Sequence, residues 1–109
     1  MAQVVVSGTF EATGQSASFV PQPPAPLGHE KGSGYFNLSI WGTYSATVKL
    51  QRSFDDGTTW MTVSQDSLGT EAAYTAPISA VALEPEQGVI YRLSCTAFAS
   101  GVVNYRLSR

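Results

Sequence analysis

The chain has 109 residues, enough for one domain with its own core and too few for a second. Apolar residues make up 43% and charged residues only 13%, which excludes a disordered charged tail. A net charge of −2, from six Lys and Arg against eight Asp and Glu, excludes an electrostatic nucleic-acid binder. The single cysteine, Cys95, cannot close an intrachain disulfide, and with the single histidine, His29, it cannot assemble a metal site. No cofactor is therefore expected. No apolar run approaches the ~20 residues of a membrane span, and Met1–Gly8 carries no basic segment, so neither membrane association nor a secretory signal is expected.

The first expected strand is Gln3–Phe10, and a short second one is Gln15–Val20, with a turn at Glu11–Gly14. Pro21, Pro23, Pro24 and Pro26 follow. Four prolines in six residues cannot sit in a central strand, because each lacks a ladder donor. Polyproline II is expected there, opening a long arm or loop over residues 21–34. Tyr35–Trp41 alternates, with Phe36, Leu38 and Ile40 on one face. Ala46–Phe54 alternates again, with Val48 and Leu50 opposite in sense to Lys49 and Gln51.

Asp55-Asp-Gly-Thr58 is a strong hairpin signal, and Thr59–Ser64 is the return strand. Setting Leu50 opposite Val63 and Gln51 opposite Thr62 keeps the apolar side chains together. Tyr74–Leu83 contains Pro77, which demands an edge position or a break. Val89–Phe98 and Val102–Ser108 read as a second hairpin. Its pairs would be Ala97 with Val103, Cys95 with Tyr105 and Leu93 with Leu107. Two hairpins suggest a meander. Seven or eight short strands predict one all-β domain spanning residues 1–109, an antiparallel β-sandwich of immunoglobulin-like or jelly-roll-like type.

Few residues point to chemistry. Ser53-Phe-Asp-Asp-Gly-Thr-Thr-Trp60 matches S-x-D-x-G-x-T-W, the Asp box, at Ser53, Asp55, Gly57, Thr59 and Trp60. Its physics is that of a hairpin stabiliser: Asp55 accepts turn donors, Gly57 takes a positive φ and Trp60 covers the turn. The motif resembles those of sialidase propellers, but it occurs once here, so it implies a hairpin and no sialidase activity. Asp55, Asp56 and Asp66 lack the spacing of a calcium loop. His29 has no nucleophile elbow near it and reads as a surface loop residue. Cys95 reads as a buried thiol. Glu84 and Glu86, flanking Pro85, read as solvating charges on an exposed turn. Arg92 and Arg106 are expected to face the same way on paired strands, where they could grip an anionic group on a neighbour. Tyr35, Trp41, Tyr44, Tyr74 and Tyr91 exceed what one small core readily uses, so part of this set is expected at an interface. No set of residues supports catalysis.

Phe36–Trp60, which opens Phe-Asn-Leu-Ser-Ile-Trp-Gly-Thr-Tyr, resembles small virion-associated proteins of tailed bacteriophages and prophages. Glu84–Ser108 resembles them too, and together the two stretches cover about half the chain. The resemblance implies a non-enzymatic β-sandwich made in the bacterial cytoplasm and carried on the particle. Such a protein would be a capsid decoration or head-associated component, binding the major capsid protein or other virion subunits. Symmetric self-association as a homo-oligomer, of which a trimer is one form, is the accompanying expectation. Pro21, Pro23, Pro24, Pro26, Tyr35, Trp41, Tyr44, Arg92 and Arg106 would form the interface. A carbohydrate-binding or host-recognition module, or a tail-associated protein, is the alternative.

Overall fold

A computed structural model of the chain describes residues 5–21, 34–64, 73–84, 86 and 88–109. Among these residues there is no helix, and nine strands form. They are β1 (Val5–Phe10), β2 (Gly14–Gln15), β3 (Tyr35–Trp41), β4 (Tyr44–Ser53), β5 (Met61–Thr62), β6 (Ala73–Tyr74), β7 (Ile78–Leu83), β8 (Ile90–Gly101) and β9 (Val103–Ser108). One sheet has the order β1-β9-β3-β7. The other has the order β2-β8-β4-β5, with β6 beside β5 on the same edge of β4. All pairings are antiparallel. The fold is an antiparallel β-sandwich, as its alternating sequence requires. Most connections cross between sheets, and the interleaved order is that of a jelly roll.

The alternation of Phe36, Leu38 and Ile40 puts all three inside, each no more than 2% exposed. They meet Val48, Leu50, Leu93 and Cys95 of the opposite sheet in one core cluster. Burying each large side chain contributes about 1.5–3 kcal/mol. Aromatic rings pack within the same cluster. Phe36 lies between Phe19 and Tyr91, with ring centroids at 5.5 and 4.8 Å, and Phe10 stacks on Tyr105 at 4.7 Å. Pro77 falls in a break between β6 and β7, so one expected strand is two.

The β4–β5 hairpin has the expected register. Gln51 opposes Thr62, and the Val63 N–H donates to the Leu50 carbonyl at 2.9 Å. The second expected hairpin does not form. β8 pairs with β4, setting Leu93 against Leu50 and Cys95 against Val48, while β9 pairs with β3 and β1. Leu93, Cys95, Val103, Tyr105 and Leu107 do point inward, but from opposite sheets. Alternation fixes which face is buried and leaves the partner strand open. The meander fails for the same reason.

Local backbone chemistry decides the matter at one corner. Gly101, with φ of 90°, carries the chain from β8 to β9; a Cβ there would stand 2.2 Å from the Thr43 carbonyl oxygen. Gly42, with φ of 120°, carries it from β3 to β4, and its Cβ would meet the Val102 carbonyl oxygen at 2.6 Å. The Val102 N–H donates to the Thr43 carbonyl at 3.2 Å. The two crossings therefore lie against each other, and only glycine fits at either.

Candidate functional site

At the end of the sandwich away from that corner, β4 runs out into the turn that closes the β4–β5 hairpin. Asp56 and Gly57 both have positive φ, 58° and 92°, the signature of a tight hairpin turn. The Ser53 hydroxyl, fully buried, donates to Asp55 Oδ1 at 2.8 Å and accepts from the Gly57 N–H at 2.9 Å. Asp55 Oδ1 also accepts from the Thr59 N–H at 2.7 Å. The Thr59 bond, with the Ser53 hydroxyl, holds the Asp55 carboxyl below its ordinary range. Trp60 lies against Gly57, and its ring carries the Arg92 guanidinium 4.3 Å from its centroid. Arg92 Nε also donates to Gln51 Oε1 at 2.7 Å. Both of these side chains are thus engaged within the molecule.

Beside the turn lies a charged cluster that the residue pattern conceals. Glu84 follows β7 and is 1% exposed, which corrects its expected place on a solvated turn. Its Oε1 accepts from Arg52 Nε and from the Tyr91 hydroxyl, the latter at 2.8 Å, and its Oε2 accepts from the Glu86 N–H at 2.9 Å. Burial alone would raise the Glu84 carboxyl; the bonds from Arg52, Glu86 and Tyr91 outweigh it and hold the group below its ordinary value. Burial, then the carboxylate, pushes the Tyr91 hydroxyl well up. Arg52 continues the inward row of Val48 and Leu50. A cation at an apolar position of a strand was the available sign that a buried anion had to meet it.

The outer face of the β1-β9-β3-β7 sheet has a different character. Arg106 is the only charged side chain in its four strands. Cross-strand register places Val5, Ser108, Asn37 and Val81 in one row and Ser7, Arg106, Ser39 and Ser79 in the next. Tyr35 and Leu83 pair at one end, and Trp41 stands at the other. Val81 is 69% exposed and Tyr35 57%, with Leu83, Trp41 and Val5 all above 40%. Beside Trp41 a groove of about 420 Å³ runs between Ser39, Ile40, Pro77, Ile78 and Ser79.

The expected interface residues divide. Tyr35, Trp41 and Arg106 share this outer face and are exposed. Arg92 does not join Arg106, because β8 and β9 belong to different sheets; the two arginines lie on opposite sides of the sandwich. Pro21 is fully buried, and Tyr44 packs against the core with its hydroxyl buried and without a partner among the described residues. Pro21 thus offers no surface to a partner, while Tyr44 is half-buried and lines a groove with Ser45, Thr47 and Phe98. Pro23, Pro24, Pro26, His29 and Asp66 lie outside the described residues. The Cys95 thiol is buried, which raises it, and points to the Ala97 carbonyl at 3.4 Å. Comparison with family profiles, curated proteins and solved structures finds no match.

Proposed function

We propose that the chain is a non-enzymatic structural component of a bacteriophage particle that docks on neighbouring virion subunits, as a capsid decoration or head-associated protein, through the outer face of its four-stranded sheet. One observation carries the reading: that face combines a single charge with five large apolar side chains, Val5, Tyr35, Trp41, Val81 and Leu83, all well exposed. Exposed apolar side chains that include Tyr and Trp, set among small polar residues, are what contact surfaces use, and ordinary solvated faces carry more charge. The likeness of Phe36–Trp60 and Glu84–Ser108 to virion-associated proteins supports the choice of partner. Jelly rolls serve in viral capsids and in lectins alike, so the fold supports the class by analogy only.

The test is whether the chain travels with particles. Particles released from the strain that carries this sequence would be banded by density gradient and digested for mass spectrometry. Peptides of the chain in the particle band, lost in a Tyr35→Ser/Trp41→Ser variant that still folds, support the reading. Peptides found only in the unbanded fraction overturn it. A glycan-binding module is the second reading, favoured by the exposed Trp41 beside its groove. Glycan-array binding abolished by Trp41→Ala, without particle association, would select it.

A further inference from the structure

The edge of the same sheet carries information that the face does not. β7 pairs with β3 on one side only, so its other side presents unpaired backbone N–H and C=O groups among the described residues. Natural edges are usually blunted with lysine, proline, a bulge or a short strand. β7 has none of these devices inside it: Ile-Ser-Ala-Val-Ala-Leu runs from Ile78 to Leu83 in unbroken register with β3. The one charge that adjoins it, Glu84, is turned inward and bound to Arg52. The core is also open along this edge. On β3 the inward residues Phe36, Leu38 and Ile40 are at most 2% exposed, while their β7 partners Ala82, Ala80 and Ile78 are only half-buried. Val81, outward on the same strand, is the most exposed large hydrophobic side chain described.

We propose that β7 pairs with β7 of a second copy, antiparallel about a two-fold axis at Val81, joining the two four-stranded sheets into one of eight strands. An unpaired strand edge selects another strand, and a two-fold sets residue i of one copy against residue j of the other and j against i, so that only the residue on the axis meets its own kind. A charge on the axis would oppose itself, and one elsewhere on the edge would be brought close to its own copy; this edge carries none. The axis runs perpendicular to the sheet, so residues that share a face must oppose each other. Placing Val81 on the axis sets Ser79 against Leu83 and Ala80 against Ala82. It also keeps Pro77, which has no donor, outside the new ladder. Moving the axis to Ala80 would bring Pro77 opposite Leu83. The two-fold dimer is one form of the homo-oligomer expected from the sequence. A five-residue ladder with its flanking side chains is smaller than the ~800 Å² per partner of a standard interface, so the dissociation constant should be on the order of micromolar. The inference rests on the edge alone and does not need the virion reading.

Sedimentation velocity of the full chain from 1 μM to 500 μM tests it. The expected result is a reversible monomer–dimer transition within that range. Val81→Lys places two like charges at the axis and should raise the dissociation constant at least tenfold, with circular dichroism unchanged. Val81→Cys sets opposed Cβ atoms about 4.5–5.5 Å apart, which a small closing of the pair brings into disulfide range, and should give a covalent dimer under mild oxidation. Ser7→Cys on β1, the other edge of the sheet, should not. A chain that stays monomeric throughout, a dimer indifferent to Val81→Lys, or cross-linking through position 7 in place of 81 would each overturn the proposal. A dimer through Val81 in a chain absent from particles would overturn only the virion reading.

Discussion

Replacing Glu84 by Gln keeps the shape of the side chain and removes its charge. Among the described residues, the carboxylate accepts hydrogen bonds from Arg52, Tyr91 and the Glu86 N–H. Glutamine has one acceptor oxygen, so in either orientation its NH₂ must face a donor, the Glu86 N–H or the Arg52 Nε. Removing one partner of a buried ion pair costs about 3–5 kcal/mol. Arg52 is 35% exposed and regains some water, which brings the expected loss down to about 2–3 kcal/mol. For a chain of this size that is a fall of roughly 10 °C in Tm. Adding Arg52→Met removes the stranded cation, and the double variant should lose at least about 1 kcal/mol less than the sum of the singles.

Acid gives a second readout of the same cluster. The folded carboxyl titrates below its ordinary value of 4.5, so the unfolded chain binds the proton first. The contribution of Glu84 is complete above that value and is lost as pH falls through the lower, folded one. The wild-type and Glu84→Gln stabilities, measured by urea unfolding, should therefore converge in acid. A gap under about 0.5 kcal/mol at pH 7, or a gap that stays constant down to pH 3, would refute the reasoning, since a buried partner removal should exceed both limits.

At alkaline pH the Tyr91 hydroxyl, raised by burial and by Glu84, should stay protonated after its unfolded counterpart ionises, so stability should fall above about pH 10; Tyr91→Phe should flatten that limb in urea titrations. Ser53→Ala should cost about 1–3 kcal/mol, because the Gly57 N–H and the Asp55 carboxylate both lose a bonded hydroxyl. Gly101→Ala should prevent folding or cost more than about 3 kcal/mol, while Gly14→Ala, which meets nothing within 4 Å, should be tolerated; thermal melts separate the two. Tyr44→Phe removes a buried hydroxyl without a partner and should leave stability unchanged or raise it by up to about 1 kcal/mol; a loss larger than that would reveal a bond to that oxygen.

Strand content, the inward rows and the β4–β5 register were legible because a period of two assigns every residue to a face. Sheet partnership was not. Leu93 finds Leu50 and Leu107 finds Leu38 through contacts far apart in sequence, and both fit the same alternation as the hairpin that does not form. Gly101 looked like an ordinary loop glycine; its meaning comes from Thr43, brought beside it by folding. Exposure of Tyr35 and Trp41 followed from their odd positions on β3, opposite Phe36 and Ile40. The identical logic applied to Arg52, which shares the parity of Val48 and Leu50, but the partner it demanded sits 32 residues away at Glu84.

The sandwich is thus fastened differently at its two ends. One end is shut by glycine backbone, with the two crossings locked together and no titratable group involved. The other is shut by a carboxylate and a phenol, which answer to pH, and by a guanidinium that stays charged throughout. Acid should therefore act on the molecule as on a clasp, releasing the Glu84 end while the glycine hinge holds, and amide exchange should quicken near Tyr91 before it does near Val102.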